Sequence, residues 1–320
     1  MNLLLSKKIF SFELTKILYT STGEVKHKKG WLINIKNEEG FEGWGEISPL
    51  SKDEFIYCKK ILETLGNRVT KEFLEDKLKF WPKALGFGFG GALAELDLTI
   101  ENKNEWLKSP ESAFLLDSKN SIIDEVNQIL KESSPENKGI TFKIKLGLTT
   151  DIYEQNLLYK ILRSTPNNTK LRIDVNGGWS FEQAKGWVQI LKNESKIEWI
   201  EQPLPSNEIG GLLELSKMMP IALDESLIEK PSLIKTWRNW QIRRPLLEGD
   251  PRLLLKELQE GTKYRALSTS FETGIGKRWI DHLAALQKAG PTPTAPGLAP
   301  GWCPNTPLFS SNPKEVWRFL

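Results

Sequence analysis

The sequence predicts an α/β protein: a small α+β unit followed by a closed (β/α) barrel. Three observations carry this expectation. From about residue 111, short apolar runs alternate with helical-period segments seven times, and such alternation means a parallel sheet. The first hundred or so residues lack that rhythm and read as strands followed by helices. Finally, the ends of successive barrel strands carry charged residues about one βα unit apart, and in a parallel barrel those ends converge at one mouth.

The N-terminal unit opens with strands. "KGWLINIKNEEGFEGWGEISPL" is two apolar runs around a Gly-containing turn, a hairpin signal. After Pro49 the period becomes helical through "KDEFIYCKKILETLGNRVTKEFLEDKL". The glycine-rich "GFGFGGALAELDLTIENK" is expected to be a loop running into a helix. The barrel then reads strand by strand. "SAFLL", "ITFKIKL", "KLRIDV", "IEWIEQP", "PIALDES", "QIRRPL" and "YRALSTS" are strands, with amphipathic segments such as "DIYEQNLLYKILRS" and "SFEQAKGWVQILKN" between them. The tail from Pro291 is rich in Pro and Gly and carries no clear period.

At 320 residues the chain has material for about two domains, and 39% apolar with 27% charged residues is ordinary globular composition. Basic and acidic residues, 44 and 41, interleave to a net charge of +3, and no basic run with spaced aromatics appears, so a nucleic-acid partner is not expected. No run approaches a membrane span, and "MNLLLSKKIF" is too short in apolar residues for a signal peptide. Cys58 and Cys303 form no paired motif, which points to a reducing, cytoplasmic setting. With His27 and His282 the only histidines, imidazole zinc sites and most Ser-His-Asp arrangements are disfavoured. The oligomeric state stays open between monomer and small homo-oligomer.

The strand ends hold the chemistry. On a strand the side-chain period is two, so Lys143 and Lys145 of "TFKIKLG" point to one face. If that face is interior, both cations need anions nearby. The following strands end in Asp174 and Asn176, in Glu201, in Asp224 and Glu225, and in Arg244, and "ALSTSFE" ends with Ser268 to Ser270. Steps from Lys145 to Asp174, Glu201, Asp224 and Arg244 are 29, 27, 23 and 20 residues. An acidic residue after a strand is ordinarily a helix cap or a surface charge. Three in successive units, each behind an apolar run and with no histidine or cysteine, make a hard-oxygen set suited to Mg²⁺, with Mn²⁺ as a substitute.

This order of residues resembles the enolase superfamily, and within it the muconate-lactonizing subgroup. The family pattern is Lys-x-Lys on the second barrel strand, then Asp, Glu and Asp on the next three, matched here by Lys143, Lys145, Asp174, Glu201 and Asp224. "GWGEISPL", "LSTSFETGIG" and "GLAP" at Gly297 are similar to segments of that subgroup, and the likeness covers nearly the whole chain. The resemblance implies a (β/α)7β-type TIM barrel over residues 106–300 and an α+β capping domain over residues 1–105, with the tail 301–320 returning to the cap. It implies a carboxylate substrate and a reaction that begins by removing a proton α to the carboxylate, with Mg²⁺ on the acidic triad and a lysine base. Lys145 would be the base, and Lys143 a cation that faces the substrate carboxylate and lowers its neighbour's pKa. Ser268, Ser270, the Gly297 region and Asn176 would touch the substrate, under a capping loop around Gly23 to Gly30.

One position departs from the pattern. The sixth strand normally carries a lysine before proline; here it is Arg244. A guanidinium stays protonated and cannot act as a base, which argues against racemases and epimerases that need a base on each face. "PTPTAPGLAPG" has no acidic residue, so the Asp-x-Asp that grips a dipeptide amine is missing too. A one-base reaction remains, such as a dehydration in which one lysine takes a proton and returns it to a hydroxyl leaving from the same face. Arg244 would stabilise charge or lie over a developing ring. The alternatives are another one-base lyase or a cycloisomerase of the same superfamily, and a non-catalytic barrel that binds a carboxylate.

Overall fold

The computed structural model describes residues 1–20, 23–100, 106–116, 122–132 and 139–320. It divides into two compact units, one of residues 1–111 with 243–320, the other of residues 112–242. The expected boundary at 105/106 falls at the edge of a segment, 101–105, outside the described residues.

The first unit begins with a four-stranded antiparallel sheet of β1 (Asn2–Thr20), β2 (Gly23–Lys36), β3 (Glu42–Ile47) and β4 (Arg68–Thr70), in the order β3-β2-β1-β4. The hairpin read from the sequence is β2 and β3, with Trp31 opposite Ile47. The segment Gly23–Gly30, expected as a closing loop, is instead the first half of β2; Gly30 pairs with Phe10 and His27 with Glu13 on the long first strand. Helices α1 (Lys52–Thr64), α2 (Lys71–Leu78) and α3 (Lys83–Leu96) follow. Ser51 and Thr70 cap α1 and α2 by accepting from the amides of Glu54 and Phe73.

The glycine-rich stretch is helix, not loop. Helix α3 contains Gly86, Gly88, Gly90 and Gly91, all buried. The helix lies so close to β3 that a Cβ on Gly88 would come within 2.8 Å of the Glu46 carbonyl oxygen. Glycine here permits backbone approach rather than chain reversal, and the packing outweighs its helix propensity.

The second unit is the βα series. Strands β5 (Phe114–Leu115), β6 (Thr141–Lys145), β7 (Lys170–Asp174), β8 (Ile197–Glu201), β9 (Ile221–Leu223) and β10 (Trp240–Arg243) run parallel in chain order. Between them lie α4 (Ile122–Glu132), α5 (Asp151–Ser164), α6 (Phe181–Leu191), α7 (Ile209–Ser216), α8 (Glu225–Glu229) and α9 (Leu233–Thr236). Phe142, Ile144, Leu171, Ile173 and Ile200 bury one strand face against Leu158, Ile161, Val188 and Leu212 of the helices.

Past Ile242 the chain returns to the first unit with α10 (Pro245–Glu248), α11 (Pro251–Gln259), β11 (Arg265–Leu267), α12 (Gly274–Ala289) and α13 (Pro313–Phe319). Ser268 donates its amide to the Arg243 carbonyl and forms a parallel bridge with Gly297, so the Pro-rich tail supplies one more strand-like contact. Farther on, Trp317 packs edge-on to Trp44 with ring centroids 5.3 Å apart, and Val316 joins Phe10 and Leu32 in a common core. Among the described residues no helix is long and apolar enough to cross a membrane.

Candidate active site

Strand β6 separates its two faces cleanly. Phe142 and Ile144 are fully buried under the helices, while Lys143 and Lys145 stand half-buried on the opposite face. Register then sets their neighbours: Lys143 lies beside Arg172, Lys145 beside Asp174, and Asp174 beside Glu201. The two lysines are thus on the carboxylate-bearing face, not on a solvated edge. Arg172, one layer from Asp174, is held by Glu198 at 2.7 Å and lies 4.1 Å from the Trp199 ring centroid.

All three predicted acidic residues are buried: Asp174 is 3% exposed, Glu201 1% and Asp224 3%. Lys143 Nζ lies 2.9 Å from Asp174 Oδ2 and 2.7 Å from Glu201 Oε1. Asp224 stands at the N-cap of α8 but makes no side-chain capping bond, so a cap does not explain it.

Three neighbours of this cluster were not assigned to it from the sequence. Glu225 accepts from Asn176 Nδ2 at 3.0 Å, and its other oxygen is buried with no hydrogen-bond partner among the described residues. Gln202 is fully buried; its Oε1 accepts from the amides of Asp224 and Ser226, and its Nε2 donates to the Leu204 carbonyl and the Ser226 hydroxyl. It thereby ties the end of the Glu201 strand to the backbone of Asp224. Gln202, directly after the strand of Glu201, and Asn176, two residues past Asp174, both adopt left-handed φ, +39° and +49°, where non-glycine residues are uncommon. Glu154 accepts from three successive loop amides after Lys145. In the sequence only the adjacency of Gln202 to Glu201 and of Glu225 to Asp224 hinted at these roles.

The electrostatics follow from several carboxylates crowding a buried place against Lys143. Burial pushes Glu201 up to about 7, aided by Asp174 and Asp224 and opposed by Lys143. Burial, Asp224 and Asp174 together push Glu225 up to about 8. Lys143 is desolvated, which alone would lower its pKa, but Asp174, Glu201 and Asp224 outweigh that and hold it above the ordinary lysine value. Glu201 and Glu225, through burial first, and Lys143, through its carboxylate neighbours, thus each hold a proton more tightly than usual.

The chemistry of the donor set is the test of a metal. Among the described residues no three acidic, His or Cys side chains are drawn together as a ready-made ligand set. Lys143 already occupies the space between two of the carboxylates. The donors are nevertheless all buried hard oxygens, which fits a divalent cation such as Mg²⁺.

The remaining predicted residues lie in the first unit. Arg243 and Arg244 have distinct tasks. Arg243 is buried and ion-paired to Glu248 at its short contact and to Glu257 at 2.8 Å, so it is structural. Arg244 is less buried and donates from Nη1 to the Thr269 carbonyl at 2.7 Å. Ser268 Oγ donates to the Gly297 carbonyl at 3.3 Å, and Ser270 Oγ is buried without a hydrogen-bond partner among the described residues. His282 lies in α12, accepts from the Leu107 amide and is lowered by burial; His27 is an exposed strand residue near Glu13.

Residues 136–236 match the Enolase C-terminal domain-like family. The o-succinylbenzoate synthase of Thermosynechococcus vestitus is 29% identical over 290 residues, 86% of this chain and 87% of that one. The crystal structure of o-succinylbenzoate synthase from Thermosynechococcus elongatus, complexed with Mg in the active site, superposes with a TM-score of 0.82 at 26% identity, covering 99% of this chain and 100% of that chain. The L-Ala-D/L-Glu epimerase of Bacillus subtilis, at 18% identity and a TM-score of 0.72 over 94% of this chain and 90% of that one, shares the fold. The chain has the fold of the enolase superfamily, a TIM barrel with an N-terminal antiparallel cap. Within that superfamily it is similar over most of its length to the o-succinylbenzoate synthases.

Proposed function

We propose that the protein is a Mg²⁺-dependent o-succinylbenzoate synthase. It dehydrates 2-succinyl-6-hydroxy-2,4-cyclohexadiene-1-carboxylate to o-succinylbenzoate, in menaquinone or phylloquinone biosynthesis. The observation that carries this is the pairing of Lys145 with Asp174 on one strand face beside Glu201, in a chain similar over 86% of its length to such enzymes.

Asp174, Glu201 and Asp224 would hold the cation. A divalent ion there supplies positive charge to the substrate carboxylate as its α-proton departs. Lys145 takes that proton on its Nζ, and the C–H electron pair moves into the ring system. The ring then expels its hydroxyl, and Lys145 Nζ returns the proton so that water leaves from the same face. The ring becomes aromatic, and the lysine ends as it began. Lys143 keeps its charge throughout, as its raised pKa requires, and offsets the carboxylates on both sides.

Arg244 fits a one-base reaction, since a guanidinium adds charge without offering a second base. Ser268, Ser270, the Gly297 region and Asn176 are read as the substrate contacts; the Ser270 hydroxyl, buried without a hydrogen-bond partner among the described residues, supports this. We read residues 1–105 as the capping domain and 106–300 as the barrel; the packing of Val316 and Trp317 with cap residues supports assigning the tail, 301–320, to the cap. Cys58 and Cys303, both free thiols, suit a cytoplasmic setting. Following o-succinylbenzoate formation by absorbance, with purified protein and Mg²⁺, tests the assignment; no product at any Mg²⁺ concentration would refute it.

A further inference from the structure

Glu154 sits in the first turn of α5, nine residues after Lys145, and is 3% exposed. Its side chain turns back onto the loop that leaves β6. Oε2 accepts from the Gly147 amide at 2.8 Å. Oε1 accepts from the Leu148 amide at 2.8 Å, the Thr149 amide at 2.9 Å and the Thr149 hydroxyl at 3.2 Å. A helix-capping side chain ordinarily satisfies donors of its own first turn. These donors belong instead to the three residues that follow Lys145-Leu146.

The other side of the same segment is fixed as well. The Leu146 amide donates to the Asp174 carbonyl at 2.9 Å. Gly147 turns the chain with φ +81°, and a Cβ there would lie 3.1 Å from Val175 Cγ1, so the loop has no slack. The backbone beyond Lys145 is therefore clamped between the strand of Asp174 and the carboxylate of Glu154. Only a side chain with two accepting oxygens serves this loop; an amide of the same size would turn its NH₂ toward an N–H donor.

We propose that Glu154 is a positioning residue for Lys145: by fixing the Gly147–Thr149 loop it sets the direction in which the Lys145 ammonium is presented to the substrate. This role rests on Lys145 acting as the base. A misplacement of about 1 Å in such a group costs on the order of a hundredfold in rate.

The test is Glu154→Gln, compared with wild type in kcat, KM, Mg²⁺ affinity by calorimetry and thermal unfolding. The expected result is a kcat for dehydration lower by roughly 10- to 100-fold, with KM and Mg²⁺ affinity unchanged. A readout free of substrate accompanies it: after reductive carbon-13 methylation, the Lys145 resonance, assigned by its absence in Lys145→Arg, should shift or broaden in Glu154→Gln. A folded Glu154→Gln protein with wild-type kcat and an unmoved resonance would reduce Glu154 to a cap of α5. If the glutamine variant does not fold, Thr149→Val, which removes only the hydroxyl donor, should move the same resonance, and an unmoved resonance there would overturn the role. If wild type itself fails to dehydrate, the functional assignment falls, while the resonance still decides whether Glu154 orients Lys145.

Discussion

Lys143 bridges Asp174 and Glu201, with its ammonium 2.9 Å from one carboxylate and 2.7 Å from the other. Two residues farther along the strand, Lys145 shares the same face and pairs in register with Asp174. The alternation of "TFKIK" therefore sets both lysines on one face beside Asp174. Lys143→Ala removes the cation nearest two buried carboxylates, so turnover should fall by orders of magnitude. The barrel should remain folded in the presence of Mg²⁺, as circular dichroism would report. An active Lys143→Ala enzyme would contradict this role.

Metal removal should be equally decisive. Activity is expected to disappear in excess chelator and to return with Mg²⁺ or Mn²⁺. Asp174→Asn, Glu201→Gln and Asp224→Asn should each weaken Mg²⁺ binding, measured by calorimetry, and each lower turnover by orders of magnitude. Full activity in chelator would count against a metal-dependent reaction.

Stability should depend on pH with a definite sign. Unfolded glutamate titrates near ~4.3, whereas in the fold burial and neighbouring carboxylates push Glu201 up to about 7 and Glu225 up to about 8. Between those values the folded state binds more protons than the unfolded one. Metal-free protein should therefore lose stability as pH rises from about 4 to about 8. Buried Glu46, also raised by desolvation, acts in the same direction. Mg²⁺ should raise the melting temperature more at pH 8 than at pH 6, and Glu225→Gln should flatten the slope. A melting temperature that climbs through this window without metal would contradict the electrostatics of the cluster.

Much of this was legible in the sequence because it depends on local period and strand-end placement. "DIYEQNLLYKILRS" is α5 from end to end, and Lys145, Asp174 and Glu201 each close a strand. The failures have physical causes. The glycines of α3 suggested a loop, because composition cannot tell glycine needed for a turn from glycine needed for close approach to β3. The Gly23–Gly30 segment suggested a closing loop, but a long antiparallel register with β1 draws it into a strand. Gln202 and Glu154 escaped notice because their partners are backbone amides brought near by folding, and an amide leaves no mark in the sequence.

Arg244 offers a test of the one-base chemistry. Arg244→Lys keeps the cation and should keep a good part of dehydration. Arg244→Ala should lose roughly 1–3 kcal/mol of transition-state stabilisation, the worth of one charged hydrogen bond or cation–π contact. Wild type should not racemise N-succinyl amino acids at a useful rate, because a guanidinium does not exchange protons readily near neutral pH. Chiral chromatography would detect racemisation; a rate equal to that of dehydration would overturn the one-base assignment.

The central claim is that one side chain, Lys145, both takes the α-proton and delivers it to the leaving hydroxyl. The measurement that meets it most directly is the dehydration rate of 2-succinyl-6-hydroxy-2,4-cyclohexadiene-1-carboxylate by Lys145→Ala beside wild type, at saturating Mg²⁺ and with the fold of both verified. Wild type is expected to form o-succinylbenzoate, and Lys145→Ala to form none above the uncatalysed rate while still binding Mg²⁺. Appreciable turnover by a folded, metal-loaded Lys145→Ala protein would contradict the account.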